Sequence, residues 1–241
     1  MGWRRKRRPG LASILRETWL THKYRRNGFA QGFNYDWAAL AHDRISIVNH
    51  LLSRTAGQDY LEIGCAGDEL FNAVQAGSKV GVDPVRGGTH RMTSDAFFSQ
   101  NPDSRFDVIF IDGLHLYDQV RRDLVHALAA IRPGGWIALH DMLPRDWIDE
   151  HVPQISTASW TGDGWKAAFE LAATPSVDFQ LVAVDHGVLV VRAPDLPVTL
   201  ADKVSDLTPR RFAYLYENAR ILPIIDYPAF EAWVGGRSPG K

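Results

Sequence analysis

Tyr60-Leu61-Glu62-Ile63-Gly64-Cys65-Ala66-Gly67-Asp68-Glu69 begins as a short, half-apolar strand and ends where a helix starts, with a turn of small residues between. Small residues let the backbone approach a ligand, and acids at the start of a helix favour its positive end. Gly77 stops that helix, and residues 79–83 form a second strand ending at Asp83. Upstream, residues 38–54 place Leu40, Ala41, Ile45, Val48, Leu51 and Leu52 at helical spacing, which predicts one amphipathic helix closed by Gly57. Downstream, Pro84-Val85-Arg86-Gly87-Gly88 is too broken for a helix, and residues 91–94, running into Asp95, predict an abbreviated third strand. Residues 106–112 are the apolar run of a buried parallel strand. A helix over 116–131 follows, striped by Val120, Leu124, Leu128 and Ile131, until Pro133-Gly134-Gly135 breaks it. Residues 136–139 form the next strand and lead into His140-Asp141.

Alternating strands and helices with short links predict an α/β fold, a mostly parallel sheet covered on both faces. Residues 179–184 and 188–192 are separated only by Asp185-His186-Gly187, which permits nothing but an antiparallel hairpin. Thr208 as N-cap and Pro209 in the first turn predict one more helix. The chain divides into a basic extension with a covering helix (1–56), a core (57–195) and a C-terminal helical segment packed on it (196–241).

The 241 residues are 45% hydrophobic and 23% charged, which excludes a disordered chain. No apolar run reaches the ~18–20 residues of a membrane span. The single cysteine, Cys65, excludes an internal disulfide and a cysteine-built zinc site. Net charge is -1, but residues 1–36 hold nine bases (Arg4, Arg5, Lys6, Arg7, Arg8, Arg16, Lys23, Arg25 and Arg26) against Glu17 and Asp36. That head is either a solvated tail or an arm for nucleic acid or an anionic surface. Residues 11–20 contain Arg16 and Glu17, too polar for a signal peptide, and Gly2 lacks a myristoylation signal, so the expected location is cytoplasmic.

In an open α/β sheet ligands sit outside the carboxyl ends of the strands. Those ends carry Glu62-Ile63-Gly64-Cys65-Ala66-Gly67, then Asp83, Asp95, Asp112 and Asp141. Asp83 lies about twenty residues beyond the loop, where a carboxylate accepts the hydroxyls of a ribose, so the ligand is of adenosine type. Ala66 and Glu69 stand where a dinucleotide fingerprint needs glycine, which argues against NAD. An acid-flanked loop suits a ligand without phosphates, and S-adenosylmethionine is one.

From Tyr60 to Asp141 the chain resembles the class I S-adenosylmethionine-dependent methyltransferases, in its Glu-x-Gly-x-x-Gly loop, its acidic second strand end and its Pro-Gly-Gly before a strand. The resemblance implies a Rossmann-like seven-stranded, mostly parallel sheet ending in the antiparallel hairpin. It implies cofactor contacts from Glu62, Gly64, Cys65, Ala66, Gly67, Asp83, Pro84 and Asp112, with Ser94 and Asp95 flanking adenine. Asp112-Gly113-Leu114-His115 departs from the Asn/Asp-Pro-Pro of amino-methylating nucleic-acid enzymes and resembles the metal-dependent small-molecule O-methyltransferases. That likeness makes Asp112 a ligand of a divalent metal and His115 the base that deprotonates a hydroxyl. Histidine, with an unperturbed pKa of ~6.5, can take a proton near neutrality. Asp141 and His140 fall where that group has two adjacent oxygen donors, and only Asp141 offers oxygen, whereas magnesium prefers six. Asp112 and Asp141 therefore orient the acceptor either directly or through Mg2+ or another divalent ion. His140 is a ligand or packs behind the site, and His115 is a base or a helix cap.

The acceptor implied is a hydroxyl on a small molecule or sugar-bearing metabolite. An RNA-directed enzyme guided by the basic arm and a non-catalytic binding protein are the rival readings. Trp160 to Lys166 sits where acceptor-binding lids lie in this fold, although Trp165, Phe169 and Ala172 also read as a core-facing stripe. Asn34-Tyr35-Asp36-Trp37 either covers the cofactor or staples the first helix. Cys65 has no neighbouring base and reads as a filler. The sequence leaves the oligomeric state open.

Overall fold

A computed structural model of the chain describes residues 10–236. Gly2 and the five bases from Arg4 to Arg8 lie outside the described residues. In chain order the elements are α1 (Leu11–Lys23), α2 (Arg44–Leu52), β1 (Asp59–Ile63), α3 (Glu69–Ala73), β2 (Ser78–Val82), α4 (Ser94–Gln100) and β3 (Phe106–Ile111). They continue as α5 (Tyr117–Ala130), β4 (Ile131–Leu139), α6 (Trp147–Glu150), α7 (Lys166–Ala173), β5 (Phe179–Val182) and β6 (Val188–Arg192). The C-terminal part adds α8 (Val204–Leu207), α9 (Phe212–Asn218), β7 (Ile224–Ile225) and α10 (Tyr227–Val234).

One seven-stranded sheet runs in the order β2-β1-β3-β4-β6-β5-β7. The pairs β1·β2, β1·β3 and β3·β4 are parallel, and β6 is antiparallel to both β4 and β5. Strand alternation sends Leu61, Ile63, Ile109 and Ile111 to one apolar core and Tyr60, Val108 and Phe110 to the other. Every residue of β3 is buried, as its unbroken apolar run requires. This is the Rossmann-like sheet with its antiparallel hairpin.

Four details differ from the sequence reading. The helix expected over 38–54 starts only at Arg44, because Asp43 and Ser46 form a reciprocal capping box there, leaving a short 3-10 turn at Trp37–Ala39. The third strand over 91–94 is reduced to a single bridge between Val82 and His90. Thr93 instead caps α4, its Oγ1 accepting from the Ala96 N–H at 3.2 Å, so Ser94 and Asp95 are helical. The seventh strand is β7, which pairs parallel to β5 at the far edge. Finally, Thr208 does not open a helix: its hydroxyl donates back to the Val204 carbonyl at the end of α8, and α9 begins after Arg211. Among the described residues three C-terminal α-helices stand where one was expected.

Candidate active site

The carboxyl ends of β1 to β4 open onto one cavity of about 610 Å3, a size typical of small-molecule sites. At one end lies the loop after β1. Gly64 has φ +88°, and a side chain there would run into the Asp112 backbone. Ala66 and Asp68 also take positive φ, at 44° and 60°, costly for residues with a Cβ and found where surroundings hold a functional turn. Asp83 does much of that holding. Its Oδ2 accepts the Ala66 N–H at 2.9 Å, while Oδ1 accepts from Val85 at 2.7 Å and Arg86 at 2.9 Å. Burial pushes the Asp83 carboxyl up, but the N–H groups of Arg86, Ala66 and Val85 outweigh it and hold the carboxyl below its ordinary value. Of the ~four lone-pair sites of a carboxylate, three are filled, so one remains for a ligand hydroxyl rather than two.

At the other end three elements converge. Asp112 follows β3, His115 stands at the approach to α5, and His140 and Asp141 follow β4. His115 Nε2 lies 3.3 Å from Asp112 Oδ1, and its Nδ1 lies 3.1 Å from Asp141 Oδ2. The Trp160 carbonyl, 3.2 Å from Nδ1, can only accept, as can the two carboxylates, so both ring nitrogens of His115 face acceptors. The His115 ring stacks on Trp160 at 5.2 Å. Burial lowers the His115 pKa, but Asp112 and Asp141 more than reverse this and raise it above the ordinary histidine value. Asp141 has φ +61°, a second strained position beside the chemistry.

His140 is buried, with Nδ1 3.3 Å from Asp112 and 3.5 Å from Asp141, and Nε2 3.5 Å from Asp185. None of these contacts has the alignment of a hydrogen bond. Burial opposes charge on the ring, yet Asp141 and Asp112 raise its pKa well above the ordinary value. Burial likewise opposes charge on Asp112, and the two imidazoles His140 and His115 hold its carboxyl well below the usual range.

The insert before α7 braces His115. The Asp163 N–H donates to the His115 carbonyl at 3.1 Å, and Asp163 Oδ1 accepts from the Tyr117 N–H at 2.8 Å. Buried Lys166 donates to Asp163 Oδ2 at 2.7 Å and to the Thr208 carbonyl at 3.0 Å. Gly162, at φ +65°, packs so closely on the His115 carbonyl that no side chain fits. Trp165 and Phe169 do face the core, whereas Ala172 is exposed.

Gly64, Ala66, Asp83, Pro84, Ser94 and Asp112 line the cavity together with His115, His140 and Asp141. Glu62, Cys65, Gly67 and Asp95 do not. Glu62 accepts a 2.7 Å hydrogen bond from the buried Tyr60 hydroxyl, and burial pushes its carboxyl up to about 7. Cys65 is buried under the loop, its thiol pushed up to about 12 by that burial. Asp95 points toward Arg122 and His126 on α5, at 3.5 and 3.6 Å. Tyr35 stacks on Trp37 at 4.4 Å, and Trp37 rests on His186 of the hairpin turn, outside the cavity wall.

Sequence reading missed Arg44, Gln119, Asp123 and Asp185. Arg44 lines the cavity, its Nη1 2.8 Å from Asp185 and its Nη2 3.5 Å from Glu69. Gln119 and Asp123, one helical turn apart on α5, also line the cavity, and Gln119 donates to Ser94 Oγ at 3.2 Å and Asp123 Oδ1 at 2.9 Å. Their i, i+4 polar pairing on an otherwise apolar stripe was a usable signal. Arg44 and Asp185 meet only through the tertiary fold and left none.

Residues 29–142 match the family model described as a methyltransferase domain. The matched stretch ends one residue past Asp141 and contains all four groups at the acidic end of the cavity. With the observed sheet order, the match shows that residues 29–142 are similar to a methyltransferase domain. No curated protein matches the chain. Among solved structures, an O-methyltransferase from Bacillus cereus in complex with SAH is 15% identical, with 76% of this chain and 92% of that one covered and a TM-score of 0.47. TomG from Streptomyces achromogenes, an O-methyltransferase of tomaymycin synthesis in complex with SAM, is 15% identical, with 78% and 91% covered and a TM-score of 0.46. MycE of the mycinamycin pathway, in complex with Mg, SAH and mycinamycin VI, is 18% identical over 78% of this chain, at a TM-score of 0.42. The chain spans about half of MycE, 55% of its length. Among the described residues no helix is long and apolar enough to cross a membrane.

Proposed function

We propose that the chain binds S-adenosylmethionine and transfers its methyl group to a hydroxyl of a small molecule or sugar-bearing metabolite. The observation that carries this reading is the pairing of His115 with Asp112 and Asp141 in the cavity that also holds Asp83 and the Gly64 loop. Gly64, Ala66, Asp83, Pro84 and Ser94 would hold the cofactor, with Asp83 accepting one ribose hydroxyl. Arg44 is the cation beside the Gly64 loop and Glu69, whereas Arg86 stands beside Asp83; Arg44 therefore suits the carboxylate of the methionine portion. His115 takes the acceptor proton. Asp112 and Asp141 orient the ring and the hydroxyl, so that oxygen lies in line with the sulfonium and catalysis is mainly positioning.

The donor set also fits a divalent cation. Asp112, His115 and Asp141 each offer one ligand atom, all within 4.8 Å of one another, and an imidazole among them suits Zn2+ or Fe2+ better than the all-oxygen preference of Mg2+. Bound there, such an ion supplies positive charge that favours the alkoxide form of the acceptor. One imidazole cannot be ligand and base at once, so chelation separates the two modes. The test is transfer of 13C-labelled methyl from S-adenosylmethionine into metabolite extracts, with and without EDTA, followed by NMR, whose methyl shift separates O-methyl from N-methyl products. Label in stable ethers supports the reading. Label only in amines, or in no small molecule, overturns it.

A further inference from the structure

Helix α1 turns its apolar side outward. Leu11, Ile14, Leu15 and Trp19 are 74%, 48%, 61% and 59% exposed. At ~3.6 residues per turn they fall on one stripe. The opposite side docks on the protein: Leu20 is buried, Ser13 Oγ meets Thr157 at 2.8 Å, and Arg16 reaches the carbonyls of Gln154 and Ile155. The other large apolar side chains exposed among the described residues, Leu40, Val85, Leu114, Val125, Leu196 and Ile221, are scattered singly, as on any surface. Among the described residues, α1 alone gathers them on one helix face.

Positive charge frames the stripe. Lys23 Nζ sits 5.0 Å over the Trp19 ring, Arg25 and Arg26 follow the helix, and Arg4, Arg5, Lys6, Arg7 and Arg8 precede it in sequence. Residues 1–36 carry nine bases against two acids, a net +7. An isologous contact with a second copy would set +7 against +7. An RNA would take the charge and leave the leucines and the isoleucine wet. An anionic bilayer satisfies both features, since apolar side chains enter the acyl boundary while lysine and arginine meet phosphate headgroups, and tryptophan favours that interface.

We propose that α1 is a peripheral membrane-docking helix that lays Leu11, Ile14, Leu15 and Trp19 into an anionic lipid surface, with its flanking bases on the headgroups. The chain is held at the membrane without spanning it. This docking is independent of the chemistry in the cavity.

Flotation of the full chain with vesicles of equimolar phosphatidylglycerol and phosphatidylcholine tests it. The chain should rise with these vesicles. The bound fraction should fall at least about tenfold with phosphatidylcholine alone, or when Leu11→Ser, Ile14→Ser, Leu15→Ser and Trp19→Ser are combined, and added salt should weaken it. Circular dichroism confirms that the variant folds. Quenching of wild-type tryptophan emission by brominated acyl chains needs no variant at all. No flotation with the anionic vesicles, no quenching, or equal binding by the folded variant overturns the proposal. So does a wild-type dimer that the variant converts to monomer, which assigns the stripe to a second copy. Salt-sensitive RNA binding without vesicle binding overturns it too, assigning the charge to nucleic acid.

Discussion

At the Gly64 end of the cavity the polar groups are paired through the backbone. Three N–H groups hold Asp83 at 2.7–2.9 Å, and positive-φ residues shape the loop around it. At the His115 end the groups are side chains from separate elements, at 3.1–3.5 Å, and both His140 nitrogens lack an aligned partner. The first end is pre-organised for a ligand whose shape is fixed. The second is a cluster of carboxylates and imidazoles held by longer contacts, and its remaining hydrogen-bonding capacity is available to an acceptor or an ion. Substitutions at the two ends should therefore separate binding from turnover.

The largest effect belongs to His115, the proposed base. His115→Ala should lower turnover by ~10²–10⁴-fold while S-adenosylhomocysteine affinity stays within about twofold. Steady-state rates paired with calorimetry check this, and retention of more than about a tenth of the activity would reduce His115 to a cap. Next comes its brace. Asp163→Ala removes the acceptor of the Tyr117 N–H and the partner of Lys166, so the His115 loop shifts. We expect kcat to fall about tenfold with cofactor affinity unchanged, because small misplacements are costly in positioning catalysis. If affinity falls instead, the division between the two ends is wrong.

Arg44 sharpens the comparison from the other side. Arg44→Gln should weaken S-adenosylhomocysteine about tenfold, the low end of a charge-assisted bond at ~1.5 kcal/mol. It should leave 5′-methylthioadenosine, which lacks the carboxylate, unaffected. Equal losses for both ligands would make Arg44 a scaffold for Asp185. The smallest effect is a shift in the pH profile. A general base works neutral, so kcat/KM should rise with pH through the free enzyme's His115 pKa. Asp112 and Asp141 raise that pKa, placing the midpoint above 6.5. Asp141→Asn removes one of these carboxylates and should move the midpoint down, and a midpoint that does not move would detach Asp141 from the base.

Much of the fold was legible because it is local. The loop from Glu62 to Gly67 and the apolar run from Phe106 to Ile111 each announce themselves within a few residues. Pro133-Gly134-Gly135, expected to separate helix from strand, instead lies inside β4, which already begins at Ile131. Errors arose where two local signals compete. Apolar spacing from Leu40 onward pointed to a longer helix, but the Asp43–Ser46 capping box set its start. The β propensity before Asp95 lost to Thr93 as a cap. At the site, Asp112, His115 and Asp141 were readable because strand ends place them. Arg44 and Asp185 were not, since the antiparallel register of Leu139 with Leu189 brings the hairpin turn beside His140, and no sequence pattern encodes that meeting.

Titration of S-adenosylhomocysteine into the intact chain tests the central claim most directly. Wild type and His115→Ala should bind one equivalent with equal affinity. Asp83→Ala, folded by circular dichroism, should bind at least about tenfold more weakly, since one charge-assisted hydrogen bond is lost and the Ala66 turn loses its anchor. No binding to the wild type, or undiminished binding to Asp83→Ala, would contradict the account.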